Sequence, residues 1–94
     1  EEVEYTSNGV VSKRILEREK GYITLFSFDK GQRLNEHSAF YDALIQVVEG
    51  EGRFTIDNVV HDLKAGDSII LPANVPHAVD AIERFKMIII MIKD

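Results

Sequence analysis

Short apolar blocks bounded by glycine or Asx residues recur along the chain at nearly regular intervals. Such spacing is typical of an all-β sandwich or barrel, in which each block forms a strand and each break a turn. Within residues 21–28, successive side chains point to opposite faces of a strand. One face carries Ile23, Leu25 and Ser27, and the other carries Tyr22, Thr24, Phe26 and Phe28. Because both faces are largely apolar, we expect this strand to be covered on both sides.

The rest of the chain continues the series of strands. Residues 12–20 are compatible with a helix, but their alternation favours an edge strand. Asp57 and Asn58 are predicted to form a two-residue hairpin loop, since Asx residues tolerate positive φ. The other predicted strands are 42–50, 52–57, 59–63, 68–72, 77–82 and 85–92. We expect a tight turn in the EGEG segment and a connection in the ERF segment, so that the two longest apolar stretches are each divided into two strands.

The length of 94 residues suits one small domain spanning residues 1–94. A chain this short buries only about 60–65% of the surface that its unfolded form exposes, so its own core is thin. With no cysteine, the means of reinforcement left are a bound metal or a partner subunit. The last strand is apolar on both faces, and the strand at 12–20 is an exposed edge. We therefore predict a homodimer, in which pairing hides apolar surface and sheet edges.

Charge and hydropathy exclude several classes of partner. Eleven Lys and Arg residues against sixteen Asp and Glu residues give a net charge of −5, and no basic stripe marks a nucleic-acid surface. The longest apolar run, residues 87–92, is far shorter than the ~20 residues of a membrane span. Without a recognisable signal peptide, we expect a cytoplasmic protein. Since the chain begins at Glu1, we also expect that a few native residues precede it.

Two segments of the chain carry a recognisable spacing. In GQRLNEHSAFYDALIQVVEG, residues 31–50, five residues separate Gly31 from His37. In residues 66–81, which begin GDSIILPANVPHA, five residues separate Gly66 from Pro72, and His77 follows. These two segments resemble the two signature motifs of the cupin superfamily, with Gly50 at the final glycine of the first motif. Asn74 occupies a glycine position of the second motif, and asparagine shares the tolerance of glycine for left-handed backbone.

The resemblance covers residues 21–92 and implies a fold. Cupins are small jelly-roll barrels, known as double-stranded β-helices, that are built from two antiparallel sheets. The HSAFYDAL segment is similar to that of small single-domain bacterial cupins, most of which lack an assigned function. The resemblance therefore implies an all-β barrel with a pocket, and leaves its biochemical role open.

Two metal ligands of the family are missing from this chain. Cupins hold a divalent metal with three histidines and a glutamate. Here the second histidine falls at Ala39, and the glutamate falls at Ala43 or Leu44, depending on the spacing used. The asparagine that ends the second motif falls at Ala81. The resemblance thus leaves His37 and His77 as the ligands of a reduced site.

Two interpretations of this site stay open. In the first, His37 and His77, either alone or with Asp42 as a third ligand, hold iron, manganese, zinc, nickel or copper. In the second, both imidazoles line a polar cavity and hydrogen-bond to a ligand, to water or to Asp42, and the two alanines leave room for a small organic ligand. The predicted pocket residues are His37, His77, Gln46, Tyr41, Phe85 and Met87.

Three functions follow from these interpretations. The first is a non-catalytic protein that binds a small organic molecule in the barrel. The second is a metal-dependent enzyme of the dioxygenase or isomerase kind, with an open coordination position for its substrate. The third is a metal-free acid–base catalyst, in which one of the two histidines transfers a proton near neutral pH. The sequence does not decide whether the protein is an enzyme.

Overall fold

A computed structural model of the chain describes residues 4–93, and these residues form seven β-strands and no helix. The strands are β1 (Val10–Arg18), β2 (Gly21–Phe28), β3 (Arg33–His37), β4 (Ala43–Ile56), β5 (Val59–Lys64), β6 (Ser68–Leu71) and β7 (His77–Ile92). The alternation of residues 12–20 correctly predicts a strand and not a helix, but this strand runs over Val10–Arg18 and residues 19–20 form a turn. Within the described part of the chain, no helix is long and apolar enough to cross a membrane.

The strands form two antiparallel layers that share the two longest strands. The first half of β7 pairs with β3 and with the second half of β4, which also pairs with β5. The second half of β7 pairs with β2 and with the first half of β4, and β1 and β6 extend this second layer at its two edges. The result is an all-β, jelly-roll barrel of the double-stranded β-helix type, as the motifs imply.

Two of the predicted breaks are wrong, because β4 and β7 each run without interruption from one layer into the other. The EGEG segment is not a tight turn. The pairing of β4 with β7 shifts its register between Val47 and Glu49 and again between Gly50 and Gly52. Such irregularities bend a strand and increase its twist without ending it. The ERF segment likewise lies inside β7.

Other local predictions are confirmed by backbone geometry. Asp57 and Asn58 both have positive φ, of 50° and 67°, and Ile56 pairs with Val59 across them. Two consecutive left-handed residues define the tight hairpin turn that matches the twist of the flanking strands. Asn74 has φ 65°, the left-handed conformation expected of a residue in a glycine position.

Aromatic side chains fill one part of the barrel interior. The ring of Phe85 stacks on Phe28 with centroids 4.6 Å apart and meets Phe54 edge-on at 6.0 Å. All three side chains are fully buried. Such ring geometries add about 0.5–1.5 kcal/mol per pair to the stabilisation from buried area. This cluster belongs to the packed core, and other members of that core line a cavity in the barrel.

The outer face of the second layer carries an apolar row five strands wide. Cross-strand pairing places its members side by side, in the order Ile70, Leu44, Ile90, Ile23 and Leu16. At a strand spacing of about 4.8 Å, the row is roughly 19 Å long. Its two end members, Ile70 and Leu16, are 52% and 39% exposed. We call these five residues the outer row.

Candidate functional site

A cavity of about 320 Å³ occupies the barrel next to the aromatic core. Its walls are mostly apolar and come from both layers. They include Leu34, Ile45, Leu71, Val79, Met87, Ile89 and Met91. The polar groups that line it are His37, His77, Tyr41, Tyr22, Thr24, Ser12 and Arg14. A mostly apolar pocket with a few polar groups is the usual form of a small-molecule site.

His37 and His77 lie side by side at this cavity because β3 ends and β7 begins at paired positions. Their Nε2 atoms are 3.2 Å apart, and the two rings meet edge-on with centroids 4.4 Å apart. His77 is buried, with 6% of its surface exposed, whereas His37 is exposed. The pair therefore reaches from the cavity wall to solvent.

The protonation of both rings follows from their other nitrogens. Nδ1 of His37 lies 2.9 Å from the carbonyl oxygen of Asn35, and Nδ1 of His77 lies 3.2 Å from that of Val75. A carbonyl oxygen only accepts, so we assign the proton of each neutral ring to Nδ1, which then donates to the carbonyl. A neutral imidazole protonated at Nδ1 has a lone pair at Nε2. In the neutral state the pair therefore presents two converging acceptors, with no proton between them.

The electrostatic environment favours this neutral state at His77. Burial is the main cause that lowers the pKa of His77 below its ordinary value, and the neighbouring His37 lowers this pKa further. The hydrogen bond to the carbonyl of Val75 acts in the opposite direction. Removal of a charged imidazolium from water is unfavourable, and a second positive charge beside it adds repulsion. At neutral pH, His77 is thus an acceptor.

The donor set does not fit a tightly held metal ion. The Nε2 separation is close to the distance of about 3.3 Å expected between two nitrogens bound to one tetrahedral ion. Tight sites nevertheless use three or four protein ligands. Among residues 4–93, no group of three or more His, Cys, Asp or Glu side chains is placed to hold a metal. Ala39 and Ala43 line the cavity and offer no donor.

Asp42, the third ligand proposed from the sequence, has another contact. Its Oδ1 accepts a hydrogen bond of 2.7 Å from the backbone N–H of Ala73. Its side chain lines a shallow surface depression with Phe40 and Ile92, and it is not among the residues that line the barrel cavity. Asp42 thus ties the segment before β4 to the loop that follows β6. Among residues 4–93, no carboxylate joins the two histidines in a metal-binding group.

We expect divalent metals to bind this protein weakly. Structural zinc sites with four ligands are worth about 10–16 kcal/mol, so half of the ligands should give roughly 5–8 kcal/mol. That range corresponds to a Kd between about 1 µM and 0.2 mM. Titration of untagged protein with Zn²⁺ against a chromophoric chelator measures it. The His37→Ala variant should lose this binding, and His61→Ala is the matched control. A nanomolar Kd would contradict a two-donor site.

The structure distributes the remaining predicted pocket residues differently. Tyr41 and Met87 line the cavity. Gln46 is exposed and lies outside the cavity lining, because its neighbours Ile45 and Val47 take the inward positions of the strand. Phe85 has the same inward parity as Met87, but it packs between Phe28 and Phe54 and is not among the residues that line the cavity. The prediction of Gln46 and Phe85 as pocket residues is therefore corrected. Gln46 lies on the outer surface, and Phe85 lies in the core.

Arg14 is a cavity residue that sequence reasoning missed. The interleaved charges of residues 13–20 indicate a solvated edge. In the structure Arg14 pairs with Thr24, and both side chains line the cavity. Phe26 and Tyr22, two positions away on either side of Thr24, line it too. The sequence does show that Tyr22, Thr24 and Phe26 share one face of their strand. Only the pairing register of β1 with β2, however, shows that Arg14 is the neighbour of Thr24 on that face.

Comparisons with known proteins agree with the motifs. The family model described as a cupin domain matches residues 24–93. A cupin 2 conserved barrel domain protein from Leptotrichia buccalis is 42% identical with a TM-score of 0.93, over 97% of this chain and 44% of that chain. No curated protein matches the sequence significantly.

Two further solved structures are similar over most of both chains. A cupin superfamily protein from Desulfitobacterium hafniense is 34% identical with a TM-score of 0.93, over 98% of this chain and 84% of that chain. A conserved protein of unknown function from Streptococcus pyogenes is 33% identical with a TM-score of 0.91, over 97% and 80%. These relatives share the barrel and leave the ligand unspecified.

Proposed function

On the premise that the chain belongs to the cupin family, we propose that it binds a small organic molecule in the barrel cavity. The family shares a fold and not a reaction, so the role must be argued from the site. The observation that carries the proposal is the imidazole pair, whose two Nε2 atoms converge to 3.2 Å at a largely apolar cavity.

The size of the cavity supports an organic ligand. An apolar cavity of about 150 Å³ is enough to hold benzene. A cavity of about 320 Å³ therefore accommodates one ring, or an aliphatic body of similar size, with a polar substituent. Desolvation of such a body against Met87, Met91 and Leu71 provides affinity at about 25 cal/mol per Å² of buried apolar surface.

The imidazole pair supports a donor group on that ligand. Two lone pairs 3.2 Å apart have no hydrogen between them in the neutral state, so a hydroxyl or N–H group of the ligand donates to one of them. A hydrogen bond between neutral groups contributes about 0.5–1.5 kcal/mol net. The apolar walls would therefore supply most of the affinity, and the pair would set the orientation.

Phenol and toluene, which differ by one hydroxyl, test this proposal. We expect both to shift the NMR signals of Met87, Met91 and Leu71, and phenol to bind about 3–10 times more tightly. His37→Leu and His77→Leu should reduce this preference, whereas His61→Ala should keep it. Thermal unfolding verifies that each variant is folded. The absence of cavity shifts at millimolar concentrations of both compounds would refute the proposal.

We further propose that two copies of the chain associate through the outer row. Ile70, Leu44, Ile90, Ile23 and Leu16 form a continuous apolar strip on a sheet face. Ile88 and Ile92 lie on the same face of β7 and widen it. A two-fold axis through such a strip brings the same surface of both copies together, as in most homodimers. The thin core of a chain of 94 residues would gain stability from this contact.

A further inference from the structure

Arg14 provides the only permanently charged group among the residues that line the cavity within the described part of the chain. No carboxylate is among those of residues 4–93 that line the cavity. The chain as a whole carries a net charge of −5, so this local positive charge departs from the overall balance. A single cation in a partly apolar pocket favours an anionic ligand group over a neutral one.

Three contacts hold the Arg14 guanidinium in place. Its Nε donates a 2.7 Å hydrogen bond to Oγ1 of Thr24, and its Cζ lies 3.7 Å from the centre of the Tyr22 ring. The third contact is an ion pair, in which NH1 of Arg14 lies 3.4 Å from Oε2 of Glu17. Both side chains of this pair are substantially exposed. Stacking and the Thr24 hydrogen bond fix the plane of the fork before a ligand arrives, which lowers the entropic cost of binding.

Glu17 is the competitor for the same guanidinium. The side chains of Arg14 and Glu17 are 42% and 62% exposed, and exposed ion pairs contribute about 0–1 kcal/mol. A ligand carboxylate that is shielded from water by the cavity wall forms stronger charge-assisted hydrogen bonds than this exposed pair does. Exchange of Glu17 for a ligand anion is therefore favourable.

We propose that the cavity selects carboxylic acids with an apolar or aromatic body, and that Arg14 binds the carboxylate. This inference rests on the proposed ligand-binding function and adds the chemical class of the ligand. The apolar walls take the body of the acid, Arg14 takes its charge, and the imidazole pair accepts from a hydroxyl or N–H substituent where one is present.

Matched acids and amides test the proposal, since the two differ in charge and little in shape. Benzoate with benzamide, and 3-phenylpropionate with its amide, are titrated into the 15N-labelled protein. We expect each acid to bind about ten times more tightly than its amide or better, because charged hydrogen bonds contribute more than neutral ones. Arg14→Gln should abolish this ratio, and Glu17→Gln should increase it.

Arg18→Gln is the matched control. It removes the same charge from the same strand, but Arg18 does not line the cavity, and its NH1 donates to the backbone oxygen of Glu17. The acid preference should persist in this variant. If Arg14 only joined β1 to β2, Glu17→Gln would not raise the affinity for acids.

The outcomes separate the two proposals. Equal binding of acid and amide to the unmodified protein, or an acid preference that survives Arg14→Gln, would overturn the role of Arg14 and leave a neutral-ligand pocket intact. If neither acids nor amides shift the cavity signals, both the acid selectivity and the ligand-binding function are refuted.

Discussion

Replacement of Gly50 by alanine should destabilise the protein by about 3 kcal/mol or more. Gly50 has φ 79°, a conformation that costs a residue with a side chain about 1–2 kcal/mol. An added Cβ would also overlap the carbonyl oxygen of Arg84 and lie 2.9 Å from Cα of Phe85. Overpacking of this kind typically adds about 1–3 kcal/mol, and here the obstacle is backbone that cannot rotate away. Unfolding in urea measures the free-energy change.

Gly31→Ala is the control for this prediction. Its φ of 84° matches that of Gly50, but nothing lies within 4 Å of its added Cβ. The control should lose only the conformational part, about 1–2 kcal/mol. A Gly50→Ala protein that fails to fold, beside a folded Gly31→Ala protein, agrees with the prediction. Equal losses in the two variants would show that the close approach of β4 and β7 at Gly50 carries no cost.

Replacement of Ile70 by lysine should convert the proposed dimer into a monomer. Ile70 is 52% exposed in the isolated chain, so its lysine variant should fold. In a two-fold dimer each substitution occurs twice, and each isoleucine has only about half of its surface left to bury, which contributes about 0.8–1.5 kcal/mol. The total loss of roughly 1.6–3 kcal/mol corresponds to a rise in dimer Kd of about one to two powers of ten. Analytical ultracentrifugation across a concentration series measures it.

Val60→Lys is the control, because Val60 is 55% exposed but lies on β5 in the other layer. It introduces the same charge at a similar exposure and should leave the association unchanged. An unmodified protein that sediments as a monomer at micromolar concentration would refute the dimer. If the dimer persists in Ile70→Lys but dissociates in Val60→Lys, the dimer contact lies on the opposite layer and the outer row is not the interface.

Local chemistry was the part of the fold that the sequence predicted best. Asp57 and Asn58 adopt left-handed backbone in a two-residue turn, because that conformation depends on the two residues themselves. Gly50 also has positive φ, yet it belongs to an irregularity inside a continuous strand. A turn and a bulge use the same local conformation, so only the pairing of distant strands separates them.

The candidate site shows the same division. Inward parity along β7 is visible in the sequence and identifies both Met87 and Phe85, but parity does not give depth in the barrel. Depth is decided by the rings of Phe28 and Phe54, which lie far from Phe85 in sequence and enclose it. Arg14 illustrates the converse, since its cavity position follows from its pairing with Thr24 and not from its charged neighbours.

The two faces of β7 make this strand sensitive to its length. Met87, Ile89 and Met91 line the cavity, while Ile90 belongs to the outer row and Ile88 lies on the same outward face. Loss of a single residue before this stretch would exchange the two sets, since side chains alternate with a period of two. The wall of the cavity and the outer row would then both change, although the composition of the strand would be almost the same. Conservative replacements within β7 should thus be tolerated far better than any deletion.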